Sequence, residues 1–143
     1  MMNNTFYNEI LTDHNLHPAH KKKLEDANLI LEGVNPSCGD NIVLELKQEN
    51  GIITDGAFVG SGCAISQASV DIMLELIIGK TTEEALKLAE LFSRMIQGVA
   101  EGEELEPLEE AMSLADISKM PARVKCAVLG WHTMEELLGK EKK

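Results

Sequence analysis

The hydrophobic period of this chain changes at Gly60-Ser61-Gly62-Cys63, and no other feature restricts its fold so strongly. From about residue 27 up to that point the apolar residues follow strand-like patterns. Ile42, Leu44 and Leu46 alternate within 41–48, and two further strand-like runs span 27–34 and 51–59. After it they recur at helical spacing: Ile65, Ala68, Ile72 and Leu76, with Ser69 and Met73 filling the stripe up to Gly79. Strands grouped together and followed by grouped helices describe an α+β domain rather than alternating βαβ units.

Local signals fill in the order. Phe6, Ile10 and His14, with Tyr7 and Leu11 beside them, predict a first amphipathic helix running to about His17 before Pro18. The Asn50-Gly51 pair predicts a tight hairpin between the second and third strands, and 36–40 supplies a broader turn between the first two. Thr81 with Glu84 forms a capping-box pattern that opens a helix through Ala85, Leu88, Ala89, Phe92, Ile96 and Val99. Residues 101–106 read as a solvated acidic turn, with a short helix after Pro107, and a last helix is expected from near Val124 through Trp131 to Leu138. The expectation is one domain over residues 1–143, a small three-stranded antiparallel sheet with helices packed on one face.

Charge narrows the function. Thirteen basic against 24 acidic residues give a net charge of −11, which disfavours a nucleic-acid partner because phosphate binding needs a basic surface. No uninterrupted apolar segment has the length of a membrane span, and the first residues lack a basic region followed by an apolar one, so a cytoplasmic protein is expected. His14, His17 and His20 recur at intervals of three; beside Lys21-Lys22-Lys23 they are read as the exposed end of a helix rather than a metal face.

The chemistry sits with three cysteines. Cys38 lies in Asn35-Pro36-Ser37-Cys38-Gly39-Asp40, Cys63 follows Gly60-Ser61-Gly62, and Cys126 ends Pro121-Ala122-Arg123-Val124-Lys125-Cys126. An odd number of cysteines, each in a loop or at the start of a helical run, suggests metal or thiol chemistry rather than a disulfide framework. A tetrahedral metal site needs four ligands, and three thiolates leave one position. Asp40 is the first candidate for it, although an Asp after Gly equally serves to bond a backbone N–H in a turn. Three thiolates and a carboxylate around Zn²⁺ sum to −2, so nearby positive groups are required; Arg123, Lys125 and two helix N-termini are the expected sources.

Those three segments, in that order, resemble the signature segments of the iron–sulfur cluster assembly family that includes IscU and the N-terminal domain of NifU, over nearly the whole chain. Two features resemble its SufU branch. Lys125 stands where IscU-type scaffolds carry a histidine immediately before the third cysteine, and the stretch between Cys63 and Cys126 is longer by about one helix, near Glu103 to Ala115. The resemblance implies zinc bound by Cys38, Asp40, Cys63 and Cys126, and a sulfurtransferase relay. In such a relay a SufS-type cysteine desulfurase, a pyridoxal-phosphate enzyme, hands persulfide sulfur to Cys38, which serves downstream SUF assembly components. A residue of the desulfurase, such as a histidine, takes over a metal position to free Cys38, and Arg123 helps orient the partner or stabilises the departing thiolate. The alternative implied at family level is a scaffold on which a [2Fe–2S] cluster is built and passed on.

Overall fold

The computed structural model describes residues 2–36, 39–100 and 102–142, with side chains described between positions 9 and 139. In chain order it runs α1 (Met2–Leu16), β1 (Leu29–Asn35), β2 (Asp40–Glu49), β3 (Ile52–Ser61), α2 (Ala64–Ile77), α3 (Thr82–Ile96), a 3-10 segment (Gly102–Lys119) and α4 (Pro121–Lys142). The strands form one antiparallel sheet in the order β1-β2-β3, as the alternating pattern requires. Asn50 and Gly51 take φ of 54° and 79°, the paired left-handed conformation that a two-residue hairpin with right-handed strand twist demands.

One face of the sheet is apolar and covered. Ile42, Leu44 and Leu46 of β2 and Phe58 of β3 are fully buried beneath α2 and α4. Leu44 pairs across to Leu31 and Phe58, so three strands place their apolar residues on the same face in register. On the other face, Ile30 and Val34 remain exposed, while Glu45 is covered by the segment linking α1 to β1. Glu45 Oε1 accepts the Leu24 N–H at 2.8 Å, and Oε2 lies 3.1 Å from Lys23 Nζ as an ion pair rather than an aligned hydrogen bond.

The central helix is α2, with ten of its 14 residues buried against α1, α4 and β3. Each large apolar side chain it buries, such as Ile72 or Leu74, contributes on the order of 2 kcal/mol of transfer free energy. At the start of α3, Thr81 Oγ1 accepts the Glu84 N–H at 3.0 Å and Glu84 Oε1 accepts the Thr81 N–H at 2.9 Å, the expected capping box. That backbone N–H holds the Glu84 carboxyl below its ordinary pKa. On its far side α3 stacks Phe92 flat on Trp131 of α4, with ring centroids 4.2 Å apart.

Two expectations need correction. The 102–119 stretch is two 3-10 helices joined across a kink at Glu109 (φ 49°, ψ −122°), so the acidic part expected as a turn is itself helical and contains Pro107, and the helix expected directly after Pro107 follows the kink. Leu105, Leu108, Ala111, Leu114 and Ile117 anchor it to the core, and Glu104 pairs with Arg94 of α3 at 2.8 Å. The last helix begins at Pro121, three residues before Val124, because a proline without an N–H fits the first helical position. Among the described residues no helix is long and apolar enough to cross a membrane.

Candidate metal centre

Three chain segments meet at one end of the sheet. Asp40 opens β2 and pairs with Asn35 at the last rung of the β1–β2 ladder; β3 ends at Ser61, opposite Asn41. From there the chain must pass the Asp40 carboxylate to reach α2, and only glycine permits the path. Gly60 sits at φ +130°, where a Cβ would meet the Asn41 carbonyl oxygen at 2.0 Å, and a Cβ on Gly62 would lie 2.7 Å from Asp40 Oδ1 and 2.6 Å from Ser66 Oγ.

Cys63 follows as the N-cap of α2. Its backbone is extended, and its Sγ accepts the Ser66 N–H at 3.4 Å, the position a Ser, Thr or Asp side chain takes in most caps. A thiolate there faces the unpaired N–H groups and positive dipole end of the helix, an effect worth about 0.5–2 kcal/mol in a partly buried setting. The Cys63 N–H in turn donates to Asp40 Oδ1 at 2.8 Å. Asp40, fully buried, therefore performs the backbone-bonding task open to an aspartate in a turn while its carboxylate stands among the sulfurs.

Cys126 is also fully buried, but not at a helix start. With α4 beginning at Pro121 it lies in the second turn, beyond the reach of most of the N-terminal dipole. Its position relative to Cys63 is set by Ser69 of α2, whose hydroxyl donates to the Ala127 carbonyl at 2.6 Å and accepts the Trp131 indole N–H at 3.1 Å. These bonds lock α2 to α4 directly beside Cys126, and the Phe92 ring backs Trp131.

Ligand atoms of Asp40, Cys63 and Cys126 all lie within 4.8 Å of one another. Tetrahedral zinc, with bonds of about 2.3 Å to sulfur, separates its sulfurs by about 3.8 Å, so these residues fit the ion after a small closure. Two thiolates and a carboxylate also suit an iron–sulfur cluster. Cys38, the remaining expected ligand, lies outside the described residues. Arg123 is exposed one helical turn before Cys126 and so rises on the same side of α4, while Lys125 is exposed on an adjoining face.

Two of the three histidines depart from the expectation of an exposed helix end. His17 is exposed, and His20 Nε2 meets Glu75 at 2.7 Å. His14 is buried, with Nδ1 2.6 Å from Asp71 Oδ2 and Nε2 2.8 Å from Glu110 Oε1. Asp71, fully buried within α2, also accepts the backbone N–H groups of His20 at 2.9 Å and Ala19 at 3.3 Å. The sequence signal was Asp71 itself, a carboxylate inside an apolar helical run that needs donors wherever it is buried. Asn35, which no local pattern singles out, is buried and places its amide nitrogen 3.4 Å from Asp40 Oδ2 and 3.9 Å from Cys126 Sγ.

The sequence profile of the NifU-like N terminal domain matches residues 6–138. The chain is 44% identical over 134 residues to the Thermotoga maritima protein named iron–sulfur cluster assembly scaffold protein IscU, covering 94% of this chain and 93% of that one. It is 39% identical over 137 residues to the Bacillus subtilis protein named zinc-dependent sulfurtransferase SufU, covering 96% and 92%. The crystal structure of a putative iron–sulfur cluster assembly scaffold protein for the SUF system, from Fervidobacterium islandicum, superposes with a TM-score of 0.87 at 38% identity, covering 94% of this chain and 97% of that one.

Proposed function

The chain belongs to the family of NifU-like N-terminal domains and is an iron–sulfur cluster assembly protein, and from that premise we propose that it is a zinc-dependent sulfur acceptor working in the cytoplasm with a SufS-type cysteine desulfurase. The observation that carries the reading is the convergence of Asp40, Cys63 and Cys126 at ligand spacing. Likeness to a zinc-dependent sulfurtransferase over nearly the full chain, and Lys125 before Cys126, support it.

Cys38, Asp40, Cys63 and Cys126 would hold the ion. When bound, zinc keeps the thiols ionised at neutral pH and neutralises much of their mutual repulsion. Cys63 and Cys126 are anchored by α2 and α4, which suits them to hold metal throughout. Cys38, in the segment before Gly39 and Asp40, is the sulfur acceptor. Its thiolate attacks the outer sulfur of the desulfurase persulfide; that S–S bond breaks, and the desulfurase cysteine leaves as a thiolate with the electron pair. Cys38 then carries the persulfide to downstream SUF components. Arg123, exposed on the rim, attracts the partner and steadies the departing thiolate.

Mass mapping of the sulfur after turnover with a SufS-type desulfurase tests the assignment. Sulfur is expected on Cys38, and sulfur found first on Cys63 or Cys126 refutes it. A second reading, a scaffold for a [2Fe–2S] cluster, is favoured by the likeness to the Thermotoga maritima scaffold. Protein purified without oxygen distinguishes the two: colourless with stoichiometric zinc for the acceptor, brown with iron and sulfide for the scaffold.

A further inference from the structure

Asp40 and Cys126 reach the metal centre from different elements, one from the first residue of β2 and one from the second turn of α4. Both are fully buried, and both are anionic when they ligate a metal. Something must hold two like-charged atoms at ligand spacing where water does not reach.

Asn35 stands between them. It closes β1 as the direct partner of Asp40 in the ladder and is only 5% exposed. Its Nδ2 lies 3.4 Å from Asp40 Oδ2 and 3.9 Å from Cys126 Sγ, the latter within the longer reach of a sulfur acceptor. A carboxamide nitrogen carries two hydrogens, so one group serves both acceptors. The reverse orientation would turn the amide oxygen toward a carboxylate and a sulfur, so electrostatics fixes which way the amide points. The turn after β1 does not need this side chain, because the Gly39 N–H donates to the Asn35 carbonyl at 3.0 Å and any residue would preserve that backbone bond.

We propose that Asn35 is a positioning residue of the metal centre, its single carboxamide donating to Asp40 and to Cys126 and so setting the distance between a strand-borne and a helix-borne ligand. The inference rests on the zinc reading above. Outer donors of this kind typically change metal affinity 10- to 100-fold without touching the ion. The carboxamide also withdraws charge from both ligands while adding none, which suits a site already crowded with anions.

The test is a chelator-competition titration of zinc into the metal-free, reduced wild type, Asn35→Ala and Asn35→Asp, with cobalt(II) spectra recorded on the same proteins. The wild type is expected to bind tightly. Asn35→Ala should bind about 10- to 100-fold more weakly and shift the cobalt d–d bands as the ligands relax. Asn35→Asp, nearly identical in shape but anionic, should lose more. Far-UV circular dichroism of metal-free Asn35→Ala should match the wild type, since the turn is held by backbone. Asn35→Ala binding zinc within twofold of wild type, with an unchanged cobalt spectrum, overturns this inference alone. A wild type that binds neither ion overturns the zinc reading and this inference with it.

Discussion

Raising the pH from 6 to 9 should loosen α1 and the 3-10 segment from α2, through His14. Its two ring nitrogens face Asp71 at 2.6 Å and Glu110 at 2.8 Å, and a neutral imidazole has one N–H where this arrangement uses two. Burial disfavours the charged ring, but the hydrogen bonds and attraction from Asp71 and Glu110 outweigh it, and the pKa stands above the ordinary 6.5. A pKa raised by folding gives stability that is complete below about 6.5 and is lost as pH rises through the folded value. The two arms are unequal. Asp71 is fully buried, so removing its cation costs about 3 kcal/mol at pH 6, near the low end for a broken buried pair because the Ala19 and His20 N–H groups still serve it. Glu110 is 59% exposed, and its arm contributes about 0.5 kcal/mol. Urea unfolding of metal-free, reduced wild type, His14→Gln and Glu110→Gln at pH 6, 7.5 and 9 measures this directly. Taking the difference between wild type and His14→Gln removes effects common to both, such as cysteine ionisation and the self-repulsion of a −11 chain. That difference should be largest at pH 6 and shrink by pH 9, with Glu110→Gln close to wild type throughout. A difference that stays flat or grows with pH refutes the charged-imidazole argument.

Three further outcomes follow from the same geometry. Ser69→Ala strips a buried partner from the Trp131 indole and from the Ala127 carbonyl; it should cost about 1–3 kcal/mol in urea unfolding and also weaken zinc binding, because α2 and α4 lose their register beside Cys126. Gly62→Ala drives a methyl group to 2.7 Å from Asp40 Oδ1, and should lower zinc affinity at least about 10-fold in chelator competition while the far-UV spectrum stays native. Thr81→Ala removes half of the capping box, which should cost about 1 kcal/mol on unfolding and leave zinc affinity unchanged, since α3 supplies no candidate ligand.

The sheet and the helix order were legible because one face of each element is buried, and a buried face imposes a period on its residues. Ile42, Leu44 and Leu46 could be read in no other way, and Thr81 with Glu84 announced α3. The 102–119 stretch was harder to read because its apolar anchors Leu105, Leu108, Ala111, Leu114 and Ile117 recur at every third residue, a 3-10 period that matches neither the strand period of two nor the sustained 3–4 spacing of an α-helix, and acidic residues fill the gaps. The site was visible in part. Glycines before Cys63 signalled a tight passage and a helix start, whereas Asn35 and Ser69 act through partners 91 and 58 residues away, and nothing local marks such pairings. His14 failed for the complementary reason. Judged by its lysine neighbours it looked solvated, but its environment is set by Asp71, 57 residues on.

Placing Cys126 in the second turn of α4 changes how the centre can tolerate its charge. Two helix N-termini were expected to offset a ligand set of net −2, yet among the described residues only α2 presents its N-terminus to a ligand sulfur, through Cys63 and the Ser66 N–H. The deficit falls to donors that are not helix ends. The Cys63 N–H serves one Asp40 oxygen, the Asn35 amide serves the other together with Cys126, and Arg123 rises on the same side of α4 one turn earlier. Two of these three sources are fixed, being backbone or fully packed, while Arg123 is solvated and free to engage an incoming protein. A centre whose inner donors are buried and whose outer cation is solvated offsets its ligand charge from within while presenting attraction at its rim, the division of labour that the proposed sulfur-acceptor role calls for when a partner must dock, react and leave.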